Sequence, residues 1–185
     1  MTFTMQTPDT APEKAKEQLK IVLDKFGFVP NQDRILAIAP SIYQAYNQSF
    51  DLFLGKSSLG LLEGQIVMMT TSYENNSPYC IAVHTWGMVM TKVPVDLIEA
   101  LRTSKPINDA RLEALRDFTK NLIAKRGHVD ENELLKFSNA GYTQENVIEV
   151  IGGIAVKMIS NFTNILAKTP LDDAMKPYEW TKDQR

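Results

Sequence analysis

The feature that most constrains this chain is the spacing of its apolar residues. They return every three to four positions along nearly the whole length and nowhere settle into the alternation of a half-buried strand. Ala15, Leu19, Val22 and Phe26 form one stripe behind Thr10 and Pro12, stopped by Gly27. Asn31 precedes Ile35, Leu36 and Ile38, and that short stretch ends before Pro40. Tyr43, Tyr46, Phe50 and Phe53 follow, closed at Gly55 and the Lys56–Gly60 segment. Leu62, Ile66, Met69 and Tyr73 share a face of the next helix. Asn75-Asn76-Ser77-Pro78 breaks the pattern, and a second helix runs from about Pro78 to Lys92. Pro94 opens a short helix with Leu97, Ile98 and Leu101, and Leu112, Leu115, Phe118 and Leu122 mark another that ends at Gly127. Asp130 and Glu133 have the spacing of a capping box before Leu134, Leu135 and Phe137. Thr143 is the expected cap of a long last helix carrying Val147, Ile151, Ile154, Met158, Phe162 and Ile165, terminated at Thr169-Pro170. The fold class expected is all-α, in one domain over residues 1–185, with an N-terminal arm at 1–12 and a polar C-terminal tail at 172–185.

Composition enters by exclusion. A chain of 185 residues can bury a sizeable core. Its net charge of -2 gives no electrostatic pull toward nucleic acid or an anionic membrane. One cysteine, Cys80, rules out an intrachain disulfide and a thiolate zinc cluster, and two histidines at unrelated spacings add no recognisable metal set. No glycine-rich loop stands ready for a phosphate, so neither cofactor nor metal is expected. The N-terminus MTFTMQTPDTAPEK lacks the basic and apolar regions of a secretory signal, and no apolar run approaches the ~18 residues of a bilayer span. A cytoplasmic location is the expectation.

Chemistry concentrates in Gln65–His84, QIVMMTTSYENNSPYCIAVH. Ser77 before Pro78 has the arrangement of a helix N-cap and first helical residue, which puts Cys80 in the first turn. Unpaired N–H groups there favour thiolate over thiol. His84, four residues on, lies on the same face one turn above, within reach for proton exchange directly or through one water. Against this stands the ordinary fate of such residues: a lone buried cysteine is usually inert packing, and Ser77 is a good helix cap in any case. Tyr73 and Tyr79 are candidates to line a site. Trp86, Met88 and Met90 are expected to pack, His128 to be exposed, Asn161 to satisfy backbone groups within its helix, and Gly152-Gly153 to permit close helix packing, with a subunit interface one place for it.

The segment resembles the core motif of the carboxymuconolactone decarboxylase / AhpD-like family, in which a Glu precedes a Cys-x-x-Cys-x-x-x-His signature. Here it reads Ser77-Pro78-Tyr79-Cys80-Ile81-Ala82-Val83-His84. Phe26–Asn31, Ala39-Pro40, Gly141-Tyr142-Thr143, Asn161 and Lys168–Leu171 resemble the flanking regions of its peroxidase-related branch, so the likeness runs from about Lys20 to Leu171. The resemblance implies an oligomeric multi-helix bundle, with antioxidant peroxide or thiol–disulfide chemistry at Cys80. It implies His84 as relay base, Gln65 at the relay-acid position, Ser77 at the partner-cysteine position, and a thiol reductant or peroxidase as partner. Serine cannot form a disulfide, and an amide cannot carry the relay proton. Glu63 and Glu74 sit about 200° and 180° around an ideal helix from Gln65 and do not replace it. A non-catalytic oligomeric homologue and a decarboxylase-type acid–base enzyme are the alternative readings. The test that follows is a Ser77→Cys variant, expected to form a reducible disulfide with Cys80 that intact mass registers as the loss of two hydrogens.

Overall fold

The computed structural model describes residues 2–182, and the outermost ends of the arm and tail fall outside them. Among the described residues, nine α-helices run α1 (Glu13–Phe26), α2 (Asn31–Leu36), α3 (Pro40–Lys56), α4 (Gly60–Glu74), α5 (Pro78–Met90), α6 (Val95–Thr103), α7 (Ala110–Ala124), α8 (Glu131–Asn139) and α9 (Gln144–Ala167). A 3-10 helix at Asp173–Tyr178 follows, and no strand occurs among the described residues. The boundaries are those the local chemistry sets. Gly27 takes a left-handed φ of 76° that ends α1. The Asp109 carboxylate accepts from the N–H groups of Arg111 and Leu112. Asp130 with Glu133 and Thr143 with Asn146 form reciprocal capping boxes.

Helix α4 is the axis of the bundle. Residues 66–72 are buried without interruption, and α3, α5, α6, α7 and α9 pack around them. Its hydroxyls are satisfied within the helix: Thr71 Oγ1 donates to the Val67 carbonyl and Ser72 Oγ to that of Met68, both at 2.8 Å. One contact locks α3, α4 and α9 together. The Phe53 ring lies against Gly153, where an added Cβ would stand 2.5 Å from a ring carbon, and against Gly64, where a Cβ would stand 3.5 Å from the same ring. The close packing expected at Gly152-Gly153 is therefore intramolecular and belongs to Gly153. Gly152 faces open space.

Several apolar stripes turn differently from their periodicity. Ala15, Leu19 and Val22 are buried, but Phe26 stays partly exposed and meets Trp86 edge-on at 6.2 Å. Leu62, Ile38, Leu134, Leu135 and Met90 face outward, while Phe137 is buried in a stack with Phe118 and Tyr142. The largest departure is α9. Ile151, Phe162 and Ile165, expected in the core, are exposed along with Ile148 and Leu166. The buried face carries Val150, Gly153, Val156, Lys157, Ser160, Asn161 and Asn164. The apolar residues of α9 outnumber what one face can bury, so the polar side chains that find partners take the interior. The same excess makes α9 long and apolar enough to cross a membrane, against the sequence expectation, yet it packs against five other helices as a core element.

The tail is also more than polar. Met175 and Trp180 are buried, and Trp180 Nε1 donates to the Arg102 carbonyl at 2.8 Å. The arm docks on α2, with Gln6 N–H donating to the Arg34 carbonyl at 2.9 Å. Gly153→Ala is expected to destabilise the fold by about 1–3 kcal/mol through overpacking on Phe53. Gly152→Ala is expected to stabilise it by up to ~1 kcal/mol, and urea unfolding reads both.

Candidate functional site

Helix α5 delivers Cys80 and His84 to a shared interior with α2, α4 and α9. Cys80 occupies the third residue of α5 and is buried. Ser77 holds the cap position, but its side chain makes no capping bond. Its hydroxyl is buried and has no hydrogen-bond partner among the described residues. It lies beside the Cys80 sulfur, and a thiolate there would give it an acceptor. Asn164 Nδ2 donates to Cys80 Sγ at 3.3 Å and to Gln32 Oε1 at 2.8 Å. Gln32 Nε2 in turn donates to Tyr46 Oη at 3.0 Å.

His84 does not meet Cys80 directly. Its Nε2 accepts from Lys157 Nζ at 2.9 Å, and its Nδ1–H donates to Gln65 Oε1 at 2.8 Å. Gln65 thus fixes the tautomer that turns a lone pair toward the lysine. Lys157, reaching in from α9 and only 1% exposed, bonds His84 and lines the same cavity as Cys80. In place of the direct Cys–His exchange expected from helical register, His84 is bonded to Lys157 and Gln65, and the Cys80 sulfur to Asn164.

The charges follow from this geometry. Burial pushes the Cys80 thiol up, but the Lys157 ammonium, aided by the Ser77, Asn164 and Asn161 side chains, outweighs it and leaves the thiol below its ordinary value. Burial lowers Lys157, while the Cys80 sulfur works to hold its proton. Burial, and then the neighbouring ammonium, keep His84 well below the ordinary imidazole value, so it is neutral at physiological pH. Asp33, its carboxyl pushed up to about 6 mainly by burial, accepts from Tyr43 Oη at 2.8 Å.

A cavity of about 170 Å³ opens onto the sulfur. Cys80, His84 and Lys157 line it together with Phe26, Phe50 and Trp86. Tyr79 reaches it as well, with its hydroxyl donating to Asp172 Oδ2 at 2.6 Å and so tying α5 to the tail. Tyr73 does not belong to the site. Its ring packs on Trp180 and under Lys182, because its position on α4 points to the α6 side of the bundle. Glu63 is engaged by Arg111, and His128 is exposed, as expected. Asn161 bonds side chains rather than backbone, accepting from Asn75 Nδ2 at 3.0 Å and donating to Ser72 Oγ at 3.2 Å. Among the described residues, no cluster of histidine, cysteine and carboxylate side chains could hold a metal ion.

Sequence reasoning missed Lys157, Gln32, Ser160, Asn164 and Asp172. The available signal was Lys157 itself, the one charged residue in the apolar run from Val150 to Leu166, with Ser160, Asn161 and Asn164 following at helical spacing.

No family model and no curated protein sequence matches the chain. Solved structures do. A peroxidase-related protein from Ralstonia eutropha JMP134, described as an alkylhydroperoxidase AhpD core, superposes with a TM-score of 0.83 at 21% identity, covering 94% of this chain and 93% of that one. A peroxidase-related protein from Silicibacter sp. TM1040 gives 0.80 at 20% identity, over 96% and 92% of the two chains. A Cys→Ala variant of the debrominase Bmp8, in complex with 2,3,4-tribromopyrrole, gives 0.80 at 17% identity, over 96% and 95%. The chain therefore has the AhpD-like all-helical fold, a scaffold that serves at least one debrominase as well as peroxidase-related proteins.

Alkylation of Cys80 by a small haloacetamide is expected to rise with pH at an inflection below that of an ordinary thiol. Lys157→Met should move the inflection up and Lys157→Arg should largely hold it, since the thiolate is favoured by the cation.

Proposed function

We propose that this protein is a one-cysteine thiol oxidoreductase in which the Cys80 thiolate reduces small organic hydroperoxides and an external thiol restores it. The observation that carries this reading is a sulfur held beside the Lys157 ammonium and the Asn164 amide in the wall of a largely apolar cavity. The thiolate attacks the hydroperoxide oxygen, the O–O bond breaks, and the sulfur, oxidised by two electrons, becomes a sulfenic acid. The alkoxide leaves with a proton. Lys157 supplies positive charge where the negative oxygen develops, and His84, held by Gln65, exchanges the proton with it. A first thiol displaces the sulfenic hydroxyl as water and forms a mixed disulfide. A second returns Cys80 and leaves as the disulfide. A reducing cytoplasmic compartment would supply such a thiol. The exposed apolar side of α9 supports a homo-oligomer of the kind the resemblance implies, which sedimentation of the purified chain measures.

One observation favours a second reading. A lysine beside a neutral histidine in a cavity is what an acid–base enzyme acting on a lactone acid would use. In this protein the lysine is already engaged by both His84 and Cys80. The two readings part on Cys80→Ala. Stopped-flow measurement with tert-butyl hydroperoxide is expected to show one equivalent consumed without thiol, turnover with dithiothreitol, and neither in Cys80→Ala. Peroxide consumption that survives Cys80→Ala, or a wild-type rate no faster than that of free cysteine, would overturn the proposal. Turnover of a lactone acid by Cys80→Ala would establish the acid–base reading in its place.

A further inference from the structure

The oxidised site has no second cysteine to resolve it, since Cys80 is the only one in the chain. A sulfenic acid left in place is exposed to irreversible overoxidation. A backbone nitrogen can cap such a sulfur as a sulfenamide, but here the next amide is committed: Ile81 N–H donates to the Ser77 carbonyl at 3.1 Å as the first bond of α5. The Asn164 amide nitrogen, 3.3 Å from the sulfur, is a poor nucleophile. Lys157, on α9, lines the same cavity as Cys80 and His84, and its side-chain nitrogen is a nucleophilic amine once deprotonated.

We propose that Lys157 is the resolving group of Cys80, capturing the oxidised sulfur as a Cys80–Lys157 sulfenamide that an external thiol reopens. The inference rests on the redox reading of Cys80 and adds the fate of its oxidised form. The geometry supplies each requirement. Lys157 is buried and held at 2.9 Å from His84 Nε2, a neutral nitrogen with a lone pair toward it, so the ammonium has a proton acceptor already in contact. The negative sulfur is what helps Lys157 keep its proton against burial, and oxidation to the neutral sulfenic acid removes that charge. Oxidation of the cysteine therefore itself frees the amine.

The step balances without a further redox partner. The amine nitrogen attacks sulfur, the N–S bond forms, and the S–O bond breaks. The hydroxyl leaves as water after taking the proton that passed from Lys157 to His84, and the nitrogen then gives its second proton to His84, which is neutral again. The two electrons have already gone to the hydroperoxide. A thiolate later attacks the sulfur, breaks the N–S bond and returns the amine with a mixed disulfide, which a second thiol reduces. The site favours this condensation, because both ends of the new bond are held by separate helices.

The full-length protein is treated with one equivalent of tert-butyl hydroperoxide and, separately, with hypochlorous acid, which makes a sulfenyl chloride that the same amine would capture. Intact mass and tryptic peptide mapping follow. The expected product is lighter than the reduced chain by two hydrogens and is reversed by dithiothreitol. Its peptides containing Cys80 and Lys157 are joined, and cleavage after Lys157 is lost. Lys157→Arg, which keeps the charge, should instead accumulate a sulfenic acid trapped by dimedone, and overoxidise severalfold faster.

A chain one oxygen heavier with both oxidants, labelled equally by dimedone in wild type and Lys157→Arg, would overturn the inference. Failure with hydroperoxide alone, with the cross-link still formed by hypochlorous acid, would overturn the peroxide reading and leave the lysine assignment standing.

Discussion

A buried lysine with no carboxylate paired to it among the described residues is costly, and this structure is arranged around one. Removing an ammonium from water carries a penalty of several kcal/mol unless other groups replace the solvent. Lys157 finds the neutral His84 nitrogen on one side and the Cys80 sulfur on the other. Each accommodates the cation differently. His84 offers a lone pair because Gln65 takes its other nitrogen, and the cation, with Ser77, Asn164 and Asn161, brings the Cys80 thiol below its ordinary value despite its burial. A cation and a thiolate in this interior would each offset the cost of burying the other.

That coupling gives meaning to both departures from the motif the chain resembles. An amide at Gln65 cannot relay a proton, but it can hold an imidazole in one tautomer, and a neutral acceptor suits a site whose positive charge comes from α9. A hydroxyl at Ser77 cannot form a disulfide, yet it can donate to a thiolate, and among the described residues its side chain has no hydrogen-bond partner and does not cap α5. On the proposed reading, the reactive pair is a sulfur on α5 and a nitrogen on α9 in place of two sulfurs on one helix turn. Its integrity therefore depends on helix packing as well as local sequence.

The scaffold holds that packing with few contacts of high consequence. Phe53 seated against Gly153 and Gly64 sets how closely α3, α4 and α9 approach. Tyr79, bonded to Asp172 beyond the end of α9, ties the start of α5 to the tail. The tail, polar by composition, buries Met175 in the wall of the Cys80 cavity and Trp180 against Tyr73 on the α6 side.

The sequence by itself determined the helices, their caps and their order, because these depend on neighbours within a turn or two: the 3.6-residue period, the capping boxes at Asp130 and Thr143, and the stops at Gly27 and Pro40. It also determined that Cys80 and His84 share one face of α5. Only the tertiary structure decided which face of α9 turns inward. Periodicity favoured Ile151, Phe162 and Ile165, but a helix apolar nearly all round has no preferred face until polar groups on other helices claim its Lys157, Asn161 and Asn164. Tyr73 was misplaced for the same reason, since its direction depends on how α4 is rotated within the bundle. Lys157 lies 73 positions from His84 in the chain, and no local pattern joins them. Their meeting is a property of the packed bundle, and so is the chemistry proposed for it.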